Sequence, residues 1–288
     1  YVHAGHQSAK LGNSRSWPVA HRDAVGRRRS ISYDRHDLEF DLGSPGIRWG
    51  TCCGVCTIHR SIPRKPGTIK RVSSKPGFGE LLAQPNVTEV CELRSARLGF
   101  MAYHGGQLEK VTDVIASSAA QASNCSYYGV LQTDEDSVVH LPSATVAPAE
   151  SLKLAAFLSH VDVVVTIHGY GRKRLWHALL LGGRNRELAE HVGLYLRRRL
   201  PDYDIIDDPG DLPRELAGMH PSNPVNLPRS QGVQIELPAT VRWNRKGRHW
   251  SDLGTHGRAP QVQALIDGLA EAATAWVNNE PVPGPGSL

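Results

Sequence analysis

The chain has 288 residues, 40% of them apolar and 21% charged, with a net charge of +5 at neutral pH. That is enough apolar material for one good α/β core and too little for a second full domain. No run approaches the roughly 18 consecutive apolar residues of a membrane span, and the opening YVHAGHQSAKLGNSRSW lacks the apolar stretch of a secretory signal, so a soluble cytoplasmic protein is the expectation.

The positive charge is unevenly placed. Residues 1–72 hold 13 Lys/Arg against 5 Asp/Glu, a net of +8, whereas the rest holds 20 against 23, a net of −3. This first quarter also carries Arg27, Arg28 and Arg29, three of the five cysteines and little sustained periodicity. It reads as an irregular or disordered basic extension. If nucleic acid is contacted at all, a basic arm of this kind is where the contact would be made. Cys53 and Cys56, with Cys52 and His59 nearby, have the spacing of a metal or redox pair. A zinc knuckle needs a second pair and a thioredoxin-type motif needs a βαβ setting, and neither follows. Cys91 and Cys125 stand alone and are expected as buried thiols.

Residues 73–279 are orderly, ahead of a flexible tail at 280–288. FGELLAQP predicts a short helix and RLGFMAYH the first clear strand. Thr112 fits an N-cap, with TDVIASSAAQA running on as helix. YYGVLQ is strand, and APAESLKLAAFLSH is an amphipathic helix with Leu152, Ala155, Ala156 and Leu158 toward the sheet. The near-continuous Val/Ile run of VDVVVTIH predicts a central strand buried on both faces. WHALLLGG is a strand ended by Gly182 and Gly183. NRELAEHVGLYLRRRL is a helix with Leu188, Val192, Tyr195 and Leu196 inward, its Arg197, Arg198 and Arg199 forming a solvated last turn that suits the helix dipole. DYDIID and GVQIEL are strands, and PQVQALIDGLAEAATAWVNN is the closing helix. This alternation predicts a single three-layer α/β/α sandwich with a mixed, mostly parallel sheet.

Four residues carry the chemistry. His104 and Glu109 in AYHGGQLE, His168 in TIHGYG and Glu236 in GVQIELP stand at or just beyond strand ends, where ligands converge on an α/β sheet. Gly105 and Gly106 leave room for the chain to turn back and set Glu109 beside His104. Two imidazoles and a carboxylate make a catalytic zinc set, and a further carboxylate can move protons. A hydrolase using Zn2+ is therefore expected.

The blocks HGGQLEKVTDVIA, TIHGYG, HALLLGGRNREL, GMHPSNPVN and GVQIELPATVR occur in the order seen in the poly-γ-glutamate hydrolase family, also known as a phage-replication-related family. The chain resembles that family over roughly residues 76–277. The resemblance implies a zinc-carboxypeptidase-like fold, with His104, Glu109 and His168 as zinc ligands and Glu236 as general acid/base. It also implies a γ-glutamyl peptide or polymer as substrate. A positive or hydrogen-bonding group must still hold a substrate carboxylate or the developing oxyanion. Arg242 and Asn226 match family positions for this, with Arg229, Asn223 and His140 as further candidates, His140 beside Ser143, and Arg172 ranked last. Some positions depart from the family pattern. Gln107 replaces a third glycine, Lys110 and Val111 replace Pro and Gly, and Leu227 and Pro228 stand where an Arg commonly follows Asn226. These departures keep a second reading open, a phage-derived accessory or binding protein with a degenerate metal site. A third is a nucleic-acid-associated protein acting through residues 1–72.

Overall fold

The computed structural model describes residues 76–280, so the expectations for the basic extension, its cysteines and the tail lie outside the described residues. Helix α1 (Phe78–Leu82) leads into β1 (Val87–Glu92), β2 (Leu98–Gly106), α2 (Thr112–Ala122) and β3 (Ser126–Gln132). Next come α3 (Leu152–His160), β4 (Val163–Tyr170), β5 (Ala178–Gly182), α4 (Arg186–Arg199) and β6 (Asp204–Ile206). The chain closes with β7 (Gly232–Pro238), the short α5 (Ala239–Arg242), the hairpin strands β8 (Trp243–Asn244) and β9 (His249–Trp250), and α6 (Pro260–Val277).

Strands β1 to β7 form one sheet in the order β1-β3-β2-β4-β7-β5-β6. Pairings β3–β2, β2–β4, β4–β7 and β5–β6 are parallel; β1 runs antiparallel to β3, and β5 antiparallel to β7. The mixed, mostly parallel sheet is as expected. Because strand side chains alternate between faces, Leu98, Phe100, Ala102, Val165, Ile167, Val233 and Ile235 pack under α2, α4 and α6, while Met101, Tyr103, Tyr128 and Val164 pack under α1 and α3. Both faces are covered, which gives the three layers and explains why β4 reads as an unbroken apolar run.

Local differences have physical causes. Thr112 is the first residue of α2, not its cap; the cap position is Val111, at a left-handed φ of 78°, and the Thr112 hydroxyl donates back to the Glu109 carbonyl at 2.7 Å. Helix α3 buries Leu154, Phe157 and Leu158, whereas Leu152 is 91% exposed. Ser151 caps the Leu154 amide at 2.9 Å, and that cap sets the phase of the helix, so the inward stripe starts at 154 rather than 152. Gly99 makes the seat for this helix: a Cβ there would lie 2.5 Å from Phe157 Cζ. Strand β1 was not foreseen, because VTEVCE is a half-buried edge strand without a clean alternation. Helix α4 turns Leu188, Val192, Tyr195 and Leu196 inward as expected, but two of its last-turn arginines are ion-paired, Arg197 with Asp207 and Arg199 with Glu271. Cys125 is buried and Cys91 half-buried. Among the described residues, no helix is long and apolar enough to cross a membrane.

Candidate metal centre and catalytic site

Strand β2 carries an irregularity where its pairing with β3 shifts between Ala102 and Gly105. In a regular strand Tyr103 and His104 would face opposite sides of the sheet; the bulge lets their rings pack together, centroids 4.9 Å apart. The chain then reverses. Gly106 takes a φ of 71°, the Gly106 amide donates to Asp113 Oδ1 at 3.1 Å, and the Glu109 amide donates to the His104 carbonyl at 3.0 Å. At Gly105 a Cβ would lie 2.7 Å from the Asp113 Cβ, so the turn has no room for a side chain there. Glu109 is thereby brought back onto the imidazole five residues before it, as the two glycines led us to expect.

His168 arrives from the neighbouring strand β4 and Glu236 from β7, where the two are register partners. Glu109 bridges the imidazoles: Oε1 lies 3.0 Å from His104 Nδ1, and Oε2 lies 3.1 Å from His168 Nδ1 and accepts from the Gly169 amide at 2.9 Å. His104, Glu109 and His168 each offer a ligand atom, all within 4.8 Å of one another.

The hydrogen-bond chemistry of this cluster fits a cation. His104 Nε2 faces the Leu141 carbonyl at 2.9 Å, which can only accept, so that nitrogen carries the proton. In the neutral ring Nδ1 then presents a lone pair to a carboxylate, two acceptors facing each other. Either a second proton or a positive ion must resolve the contact, and a metal ion is what imidazole and carboxylate ligands at these positions can share.

The charges follow. Burial alone would raise the Glu109 carboxyl, but His104 and His168 hold it far below the usual carboxylate range. His168 is pulled down by burial, and the Glu109 charge more than restores it, leaving it raised. Glu236 is pushed up to about 7, chiefly by burial with a contribution from Glu109, against the pull of His168.

A cavity of about 400 Å³ opens over this cluster. His104, Glu109, His168 and Glu236 all line it, together with Asn223 and His140, whose ring centroid lies 4.7 Å from that of His104. Three other expected substrate-binding residues are not on its wall. Arg242 is 5% exposed and packs its guanidinium behind Gly169 and over Trp250, donating to the Lys110 carbonyl at 2.8 Å. Burial lowers it to about 10. Asn226 spends its amide on backbone, donating to the Gly218 and His220 carbonyls and accepting from the Arg184 amide; it shapes the loop that lines the cavity. Arg229, with its side chain 79% exposed, pairs with Asp162 just before the start of β4, the end opposite His168. Arg172 pairs with Glu215, which does line the cavity.

Sequence reasoning missed Tyr103, Gln234, Arg214 and His220. Gln234 had a signal, since it lies two residues before Glu236 on the same strand face. Arg214 and His220 come from an irregular segment between β6 and β7 whose path nothing in the local sequence sets.

Two imidazoles and a carboxylate gathered at the C-terminal edge of a mixed sheet, under an open cavity and beside a second carboxyl able to exchange a proton near neutrality, define a metallohydrolase. The profile of the poly-γ-glutamate hydrolase family matches residues 81–251, more than half of the chain. The chain belongs to the poly-γ-glutamate hydrolase family. Its fold is similar to that of a bacteriophage poly-γ-glutamate hydrolase at 17% identity and a TM-score of 0.58, over 68% of this chain and 91% of that one. It is also similar to YNDL in an apo, zinc-free form, at 18% identity and a TM-score of 0.54, over 68% and 95% of the respective chains. None of the curated proteins matches it.

Proposed function

We propose that this protein is a zinc-dependent hydrolase of γ-glutamyl amide bonds, acting on poly-γ-glutamate or on a smaller γ-glutamyl substrate. The observation that carries the reading is the placement of Glu236, a buried carboxyl raised to about 7, in the same cavity as the His104, Glu109 and His168 cluster. Zinc at that cluster supplies Lewis acidity toward water and the amide carbonyl. Glu236 takes the proton of the attacking water and returns it to the leaving amine nitrogen, a role worth roughly 10²- to 10⁴-fold in rate and best served by a group that titrates near the working pH. No covalent adduct with the chain is needed.

Substrate recognition falls to the cavity wall. Residues 73–288 carry a net negative charge, so the domain has no long-range attraction for a polyanion and must bind glutamyl carboxylates locally. Arg214, His140 and His220 supply positive or hydrogen-bonding groups on that wall. The test is metal analysis of the purified protein paired with hydrolysis of a γ-glutamyl peptide. Stoichiometric zinc with chelator-sensitive turnover is expected. A protein that binds no metal, or that binds zinc and cleaves no γ-glutamyl amide, would overturn the reading and leave an accessory or binding protein as the better account.

A further inference from the structure

A string of buried amides on the cavity wall, continued by a phenol beneath it, connects Glu236 to His168. Gln234 Nε2 donates to Glu236 Oε1 at 2.9 Å and to the Leu216 carbonyl at 3.3 Å. The Leu216 carbonyl can only accept, so it settles the orientation of this amide. Its oxygen accepts from Asn223 Nδ2 at 2.8 Å. The Asn223 oxygen in turn accepts from the Val225 backbone amide at 3.2 Å, which pins the second amide independently, and from the Tyr103 hydroxyl at 3.1 Å. With its single proton given to Asn223, the Tyr103 oxygen faces His168 Nε2 at 3.0 Å as an acceptor. Ser143 also approaches this hydroxyl, but a serine hydroxyl rotates to either role and imposes no direction. His168 Nε2 therefore carries a proton, and in the neutral ring Nδ1, the atom turned toward Glu109, keeps its lone pair.

We propose that Gln234, Asn223 and Tyr103 form a one-way hydrogen-bond chain that presets both ends of the site, fixing the metal-ligating tautomer of His168 and tying one oxygen of Glu236 so that the other serves the reaction. The inference rests on the zinc hydrolase reading. Its direction is set at backbone, by the Leu216 carbonyl and the Val225 amide, so it does not depend on the metal or the substrate. All three side chains are positioning residues. Tyr103 and Asn223 are buried, as is Gln234, and buried amides with every bond satisfied are rigid, because each broken bond would leave a polar group unpaired.

The two ends can be tested separately. Tyr103→Phe keeps the ring and removes the acceptor for His168 Nε2. Zinc affinity, measured by competition with a chelator, is expected to weaken by roughly 10- to 100-fold, the usual effect of losing an outer partner of a metal-bound histidine. The metal-free protein should still unfold cooperatively. Gln234→Met keeps the side-chain length and removes the tie on Glu236, while Asn223 stays pinned by Val225 and Tyr103. Its kcat should fall roughly tenfold or more, with KM and zinc affinity within about twofold of wild type. A side chain that only supports the fold would instead lower the melting temperature without separating kcat from zinc affinity. Wild-type zinc affinity in Tyr103→Phe, or unchanged kcat in Gln234→Met, overturns the chain while leaving the hydrolase reading intact. A wild type that binds no zinc removes both.

Discussion

His168 and Glu236 are register partners on the parallel strands β4 and β7, and both side chains line the same cavity. Parallel strands run about 4.8 Å apart, so the ladder itself sets the His168 imidazole, the proposed metal ligand, beside the Glu236 carboxyl, the proposed proton carrier. The division of labour between them is testable. Glu236→Gln changes the side chain little in size and removes its ability to take a proton. The variant should fold, retain its zinc and bind a γ-glutamyl peptide with nearly unchanged KM, while kcat falls by roughly two to four orders of magnitude. Turnover at the wild-type level would take Glu236 out of the mechanism.

The metal set makes a stoichiometric prediction. Purified protein should carry about one zinc per chain, since the described residues hold one cluster of His, Cys, Asp and Glu side chains with suitable spacing. His104→Ala and His168→Ala should each lose most of the metal affinity, because a three-ligand site cannot readily spare one. Elemental analysis of the double variant decides the matter: zinc retained at full stoichiometry would place the metal elsewhere.

Glu236 also makes the metal-free fold sensitive to pH. Its carboxyl titrates near 4.5 in an unfolded chain and about 7 in the folded one. Between those values the folded state holds the extra proton, so the group costs stability as pH rises through that window, by an upper limit of roughly 3 kcal/mol. Below 4.5 the carboxyl is protonated in both states and the cost vanishes. Metal-free Glu236→Gln should therefore melt at a higher temperature than metal-free wild type at pH 8, with the gap closing toward pH 4.5. A gap that stays constant across this range, or widens toward low pH, would show that burial does not raise this carboxyl.

Val111 stands where the family pattern has glycine, and it holds the left-handed φ of 78° that a glycine would adopt without strain, yet its side chain is 1% exposed in the core. The conformation costs an L residue roughly 1–2 kcal/mol, and burying a Val side chain returns roughly 1.5–3 kcal/mol. Val111→Gly removes both effects and adds about 0.5–1 kcal/mol of backbone entropy, so the expected loss is only about 1 kcal/mol in urea unfolding. A loss above roughly 3 kcal/mol would mean that the turn stores no strain.

Residues 81–251 hold the family match, and every ligand and catalytic candidate lies between His104 and Glu236. A chain starting near Lys75 should accordingly unfold in one cooperative thermal transition and bind zinc as the full chain does. Loss of cooperativity would assign residues 1–72 a part in the core.

The order of strands and helices was legible because burial on two faces forces continuous apolar runs, as in β4 and β7, and burial on one face forces helical stripes, as in α4. The His104–Glu109 pairing was legible for a related reason: glycines at 105 and 106 permit one tight reversal, and that reversal brings the two side chains together within five residues. Local chemistry of this kind is written in neighbouring residues. The edge strand β1 and the phase of α3 were not, since an edge strand needs no alternation and the Ser151 cap, rather than the apolar count, sets where the helix begins. Nor could the chain say that Arg242 lies behind Gly169, that Arg229 sits at the far end of β4, or that Tyr103, Asn223 and Gln234 join in one polar string. Apart from the Asn223–Gln234 bond, which spans 11 positions, those contacts link residues 65 to 132 positions apart or depend on a bulge that overturns strand alternation. Their geometry comes from how the sheet twists and its layers pack, and no short stretch of sequence encodes that.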